Sequence, residues 1–294
     1  MVLEGKRIVI TGSSRGLGRA FAVACARNGA SLVINGTNET ALAETASAVA
    51  ETGGAAESVA GSVADEAVVA GLVDRCVDRF GGIDAIVHNA GIVRDRTLLK
   101  MTSEEWDDVI AVHLRGAFLT TKYAGLAMKD SGGHIVQITS GSGLAGGFGQ
   151  SNYAAAKEGM LGLLRSAVLE FGRMNIRVNT MWPVADTDMT QVVFQRAGAQ
   201  AEQAGRSRPK PVELGFGAPA EVAEGLVWLL SDHAAHMNGQ CLSFNGRRTA
   251  LWAHPDEHYV HFSDRPMSVA DLAEYYADKT PLPFGRPRLV RSQP

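Results

Sequence analysis

The stretch Lys6-Arg-Ile-Val-Ile-Thr11, which runs into Gly12-Ser-Ser-Arg-Gly-Leu-Gly18 and then an alanine-rich segment ending at Asn28-Gly29, constrains the fold more than any other part of the chain. It reads as strand, glycine loop and helix in immediate succession. A short apolar run bounded by turn signals suits a buried strand, and glycine lets the backbone pass close to a ligand. The backbone N–H groups of such a loop, with the positive end of the following helix, can hold a pyrophosphate. Glycine runs also make ordinary turns; the flanking strand and helix give this one its meaning.

Alternation continues beyond it. Strands are expected near 7–11, 31–35, 56–60, 84–88, 134–139, 176–181 and 240–243, with helical segments between. That order predicts an α/β fold with a doubly wound parallel sheet. Two of the strands end in small polar residues, Asn89-Ala90-Gly91 and Thr139-Ser140. Open α/β sheets bind ligands at such C-terminal strand ends.

Tyr153 and Lys157 follow in Gln150-Ser-Asn-Tyr-Ala-Ala-Ala-Lys157. Four residues apart on a helix, they share a face. A phenol with a pKa of about 10 is a poor proton donor near neutrality unless a cation stabilises its phenolate, and Lys157 can supply that charge. The same pair on a solvated helix face would do nothing. Its company decides between the two readings.

Thr11-Gly-Ser-Ser-Arg-Gly-Leu-Gly18, Asn89-Ala-Gly91, Ser140 and Tyr153-x-x-x-Lys157, in this order and spacing, resemble the motifs of the short-chain dehydrogenase/reductase family over roughly residues 3–246. The resemblance implies one Rossmann-type domain over residues 1–246, a nicotinamide cofactor, and hydride transfer to or from a carbonyl or alcohol carbon. It implies that Tyr153 is the general acid/base, that Ser140 hydrogen-bonds the substrate oxygen, and that Lys157 binds the nicotinamide ribose. Cofactor contacts are implied for Gly12, Ser14, Arg15, Gly16, Leu17, Gly18, Asn35, Gly36, Thr37, Ser62, Val63, Asn89, Ala90, Gly91, Tyr153, Lys157, Pro183, Val184, Thr187 and Met189. A homo-oligomer, tetramer or dimer, is implied through the helix after Ser151 and the segment from Leu226 to Phe244.

The second strand bears on cofactor choice. It ends Leu32-Val-Ile-Asn35-Gly36-Thr37-Asn38, without the carboxylate that usually holds the ribose hydroxyls of NAD. A ribose 2′-phosphate is then not repelled. Arg15 could pair with it, and Asn35, Thr37 and Asn38 could donate hydrogen bonds. We therefore expect NADP(H) rather than NAD(H), although Thr37 stands where NADP-binding relatives often place an arginine.

Two departures narrow the comparison. His113 replaces the asparagine that most relatives use to hold a water for proton relay, so it is a candidate fourth catalytic residue; a histidine fixed by backbone hydrogen bonds is the alternative. Val184 follows Pro183 where a glycine is usual. With His113-Leu-Arg-Gly116 and Gly147-Phe-Gly-Gln-Ser-Asn-Tyr153, this form resembles the 3-hydroxyacyl-CoA dehydrogenase units of multifunctional β-oxidation enzymes. Gly91-Ile-Val-Arg-Asp-Arg-Thr97 resembles 3-oxoacyl-thioester reductases. The implied substrate is a 3-oxo or 3-hydroxy acyl thioester, entering under a lid at about residues 186–217 whose Arg196, Arg206, Arg208 and Lys210 could meet phosphates but, taken alone, read better as a solvated face. A cyclic or steroid-like alcohol is the alternative substrate, and a catalytically silent dinucleotide sensor the alternative of another class.

Composition sets outer limits. A formal net charge of -3 leaves no basic footprint for nucleic acid. No apolar run reaches the roughly 18 residues that span a bilayer, so we expect a cytoplasmic protein without a membrane partner. Cys25, Cys76 and Cys241 lie far apart in apolar surroundings, suited to buried reduced thiols. His233, His236, His254, His258 and His261 invite a metal reading, but Pro255 and polar neighbours suggest a loop, and no metal site is expected. Residues 247–294 form an extension with one helix expected in Ser268–Asp278, capped by Ser268.

Overall fold

Apolar runs of four to eight residues are too short for helices and build one sheet. In this computed structural model, which describes residues 1–280 together with 282, 287, 289 and 290, the strands are β1 (Arg7–Ile10), β2 (Ser31–Gly36), β3 (Ala56–Ala60), β4 (Ala85–His88), β5 (Gly133–Ile138), β6 (Ile176–Pro183), β7 (Cys241–Phe244) and β8 (Thr249–Trp252). Their order is β3-β2-β1-β4-β5-β6-β7-β8. The first seven run parallel, and the chain reverses its direction of travel between β1 and β4. That reversal opens the crevice used by dinucleotides in such sheets.

The helices are α1 (Gly16–Arg27), α2 (Glu39–Ala50), α3 (Glu66–Phe80), α4 (Ser103–Ile110), α5 (Gly116–Met128), α6 (Gly141–Ala145), α7 (Ser151–Phe171), α8 (Gln191–Gln203), α9 (Pro219–Leu230) and α10 (Val269–Tyr276). Side chains alternate across each strand, so Ile8 and Ile10 face Phe21 of α1 and Leu226 of α9 on one side. Val9 and Val33 face Leu72 of α3, Met128 of α5 and Leu164 of α7 on the other. Both faces are therefore covered, as a parallel sheet requires. Cys25, Cys76 and Cys241 are all buried free thiols.

Two features differ from the sequence expectation. β8 pairs antiparallel with β7 and carries the sheet past residue 246 to Trp252, whose ring packs 5.9 Å from that of Trp182. The turn between them starts with Asn245-Gly246: the Asn245 carboxamide oxygen accepts from the N–H groups of Arg247 and Arg248, and Gly246 takes φ +88°. The second feature is a π-helical turn at Ala111–Arg115, which joins α4 to α5 and places His113 on its inner side. Such turns insert one residue into a helix and redirect a side chain. In the extension, α10 starts at the Ser268 cap, where Ser268 accepts from the N–H of Asp271.

Candidate active site

Each site residue sits where a strand stops. β5 ends at Ile138, and Ser140 follows as the cap of α6, its hydroxyl accepting from the N–H of Ser142 at 3.2 Å. α7 begins at Ser151, and Asn152, fully buried, anchors its first turn to the segment after β4 by donating to the carbonyls of Arg94 and Glu105. The Tyr153 N–H donates to the Asn152 carboxamide oxygen at 2.8 Å. One turn later Lys157 is only 2% exposed; its ammonium donates to the Ile138 carbonyl at 2.5 Å and lies 5.5 Å from the centre of the Tyr153 ring. Ser140, Tyr153 and Lys157 thus meet at the C-terminal end of β5.

The floor of this site is buried. Burial brings the Lys157 ammonium down to a pKa of about 7. It pushes the Tyr153 phenol up, with the Ser140 hydroxyl opposing that rise and the Asp95 carboxylate adding to it. The Lys157 ammonium is directed to the Ile138 carbonyl and is not among the groups that shift the phenol. His113 stands edge-on to the Tyr153 ring at 5.0 Å and is 1% exposed. Its Nε2 lies 3.1 Å from the Ile92 nitrogen and 2.7 Å from the Ile92 oxygen. Burial holds it neutral, and its Nδ1 has no hydrogen-bond partner among the described residues. Beneath it His88, also buried, contacts the His113 carbonyl through Nε2 and is held down to a pKa of about 3.

The glycine loop lies across the switch point. A Cβ on Gly18 would meet the Gly12 carbonyl oxygen at 2.0 Å, and one on Gly12 would meet the Ala90 Cα at 2.6 Å. The Asn89 carboxamide stitches the two loops together by donating to the carbonyls of Thr11 and Gly12. Thr11 accepts from the N–H groups of Asn89 and Ala90. Arg15, Gly16 and Leu17 lead directly into α1.

Residues 12–246 match the family described as enoyl-(acyl carrier protein) reductase. The chain is 38% identical to hydroxyacyl-CoA dehydrogenase ChsB1 of Mycobacterium tuberculosis, over 95% of this chain and 91% of that protein. It is 37% identical to the 3-oxoacyl-[acyl-carrier-protein] reductase FabG of Escherichia coli, over 84% of this chain and 98% of that one. A crystal structure of a short chain dehydrogenase from Mycobacterium avium superposes with a TM-score of 0.80 at 33% identity, over 96% of this chain and 99% of that one. The chain belongs to the short-chain dehydrogenase/reductase family. As a member, it is a nicotinamide-dependent oxidoreductase acting on small-molecule substrates.

The crevice of this dehydrogenase/reductase fits such a cofactor. Gly36 leaves room beside Ser14, whose buried hydroxyl has no partner among the described residues and would sit 1.9 Å from a Cβ at position 36. An orphaned hydroxyl at the end of β2 is suited to a ribose or phosphate oxygen. Arg15 is exposed nearby, in a loose 3.7 Å pair with Asp188. Asn35 does not offer the donor expected of it: its carboxamide N–H groups are spent on the carbonyls of Val59 and Gly61, both at 3.0 Å. The Asn38 side chain caps α2 by accepting from the Ala41 N–H through its oxygen, which leaves its carboxamide N–H groups unspent. Thr37 is exposed beside them, while Ser62 and Val63 follow β3, Val63 buried against the α5 start.

At the end of β6, Val184 donates its N–H to the Phe244 carbonyl and accepts from Gly217, which fixes Pro183 and Val184 against β7. Thr187 and Met189 follow on a 3₁₀ turn, with Thr187 N–H donating to the Thr190 hydroxyl. The segment from residue 191 continues as α8, where Phe194 packs edge-on against Phe216 at 5.0 Å. Phe148 is 83% exposed on the Gly146–Gly149 loop, whereas Trp182 and Phe194 are buried. No helix among the described residues is long and apolar enough to cross a membrane, and no three His, Cys, Asp or Glu side chains among them converge for a metal. His261 instead stacks on Tyr275 at 4.8 Å.

Proposed function

We propose that this enzyme is an NADP(H)-dependent oxidoreductase of 3-oxo and 3-hydroxy acyl thioesters, with Tyr153 as general acid/base. The observation that carries the reading is the meeting of Ser140, Tyr153 and a buried Lys157 at the end of β5. The thioester class draws support from the names of the relatives, a hydroxyacyl-CoA dehydrogenase and a 3-oxoacyl reductase.

A nicotinamide dinucleotide bound across the crevice supplies or takes the hydride. In reduction, the Ser140 hydroxyl donates to the substrate carbonyl oxygen and orients it. The Tyr153 phenol gives that oxygen its proton as the carbon accepts hydride, so carbonyl becomes alcohol and phenol becomes phenolate. Lys157 is then the cation beside the phenolate, and Tyr153 regains a proton before the next turnover. His113, neutral and bonded to Ile92, holds the turn after Gly91 in place.

NADP(H) preference rests on the missing carboxylate after β2, the orphaned Ser14 hydroxyl and the exposed Arg15. Residues 1–246 are assigned to the catalytic domain, its sheet completed by β8 to Trp252, and about 186–217 to its lid. The protein works in the cytoplasm as a homo-oligomer; exposed Trp106, Phe118 and Leu126 on α4 and α5 and Leu169 on α7 support a helical interface. Light scattering that returned a monomer mass at micromolar concentration would contradict that assembly. The substrate class is tested by turnover of a short 3-oxoacyl-CoA together with product inhibition by free coenzyme A. Turnover of cyclic ketones with no inhibition by coenzyme A would overturn it.

A further inference from the structure

A groove of about 510 Å³ opens beside the catalytic crevice, between the end of the lid, the β7–β8 turn and the end of the chain. Val212 and Phe216 form one wall, Arg247, Arg248 and Thr249 another, and Leu289 closes it. We propose that this groove binds the nucleotide end of a coenzyme A thioester, its phosphates on the two arginines and its adenosine against the apolar wall. The proposal rests on the thioester reading and adds the place where the far end of that substrate is held.

The groove is built rather than incidental. Asn245, 6% exposed, donates to the Gly215 carbonyl at 2.8 Å, which ties the turn to the end of the lid. The same carboxamide accepts from the backbone N–H of Arg247 and Arg248, at 2.9 and 2.6 Å, and so fixes the start of both side chains. Leu289 crosses Gly215 so closely that a Cβ there would meet its carbonyl oxygen at 2.6 Å. Arg248 donates to the Ser243 hydroxyl at 2.9 Å, and Arg247 pairs with Glu221 only at 3.6 Å. Each guanidinium carries five N–H donors, so both keep donors for a phosphate.

Charge and distance agree with that ligand. Just before Val212 in the chain, Arg206, Arg208 and Lys210 are exposed and without an acidic partner within 4.0 Å among the described residues, although the Arg208 side chain lies against Gly198 of α8. Phe216 and Gly217 are linked to the end of β6 directly, since Gly217 donates to Val184. β7 lies two strands from β5, which Ser140 follows, so the end of β7 beside the groove is about 10 Å across the sheet from the end of β5. A pantetheine spacer is suited to that span. A carrier protein would bring a large surface and no adenosine for the apolar wall.

The test compares a short 3-oxoacyl-CoA with the same acyl group on N-acetylcysteamine, which has no phosphate, in the wild-type protein and in Arg247→Gln/Arg248→Gln. The ratio of kcat/KM for the two substrates is expected to fall about tenfold or more in the double variant, through KM. Thr249→Glu, which leaves the turn contacts intact and adds a repelling charge, should lower the ratio in the same direction. An unchanged ratio in both variants would overturn the proposal, as would equal losses on both substrates. If no thioester is turned over at all, calorimetry with adenosine 3′,5′-bisphosphate at saturating NADP⁺ still decides. Binding that disappears in the double variant upholds the groove while the thioester reading falls, and no binding, or binding the variant leaves intact, overturns it.

Discussion

The two ends of the crevice are made of different material. At the glycine loop the fit is in the backbone: Gly12 and Gly18 approach neighbouring main chain so closely that any side chain would collide. At the end of β5 it is in buried side chains, with Lys157 spending its ammonium on a carbonyl and His88 and His113 kept neutral by burial. The first arrangement tolerates no added atom and is indifferent to pH. The second tolerates changes of shape but depends on which groups carry protons.

Substitutions can break that contrast. Ser140→Ala removes one donor from the substrate oxygen and is expected to lower kcat by about 10²–10³ with little change in cofactor affinity, read by steady-state kinetics and cofactor titration. Gly18→Ala should do the reverse: the 2.0 Å approach to the Gly12 carbonyl makes it cost about 1–3 kcal/mol, read as weaker cofactor binding and a lower Tm. A Gly18→Ala protein with unaltered cofactor affinity would show that the loop has slack.

The pH response separates the two ends more finely. The ammonium of Lys157 has its pKa lowered from 10.5 to about 7 by burial, so the unfolded chain binds the proton more readily than the folded one. Stability of the cofactor-free protein should therefore fall as pH drops from about 10 to 7, by up to about 1.4 kcal/mol per unit, and Lys157→Met should flatten that slope. Below pH 6.5, buried neutral His88, lowered to about 3, should begin a further acid loss by the same sign. Chemical denaturation across pH checks both. At the backbone end, Asn35→Asp replaces two donors to the Val59 and Gly61 carbonyls with a carboxylate, and should cost about 1–3 kcal/mol rather than simply shift preference toward NAD(H). Thr37→Arg, on the exposed rim, should raise NADP(H) preference by only a few-fold, about 1 kcal/mol, in parallel NADPH and NADH assays.

What could be read without coordinates follows the same division. The parallel strands and the glycine loop were legible because each is a local pattern, an apolar run or a φ that only glycine takes freely. Ser140, Tyr153 and Lys157 were legible through their order and spacing, which topology then brings to one strand end. β8 was missed although Asn245-Gly246 is a strong hairpin signal, because the four residues Thr249–Trp252 lie among arginines and histidines. The π turn at His113 leaves no mark in composition; it lies where α4 and α5 pack against α7. Asn35 was misjudged for a similar reason: a carboxamide at a strand end looks free until the neighbouring β3 carbonyls are placed beside it.

The proposed mechanism has the half-buried Tyr153 phenol move the proton while Ser140 and Lys157 hold the substrate oxygen and the charge. It is tested most directly by the absorbance change of NADPH, with NADH in parallel, as the protein meets a short 3-oxoacyl-CoA, Tyr153→Phe serving as the comparison. The account predicts turnover that is faster with NADPH and falls by about 10²–10⁴ in the variant while cofactor affinity holds. Turnover that survives Tyr153→Phe undiminished would contradict it.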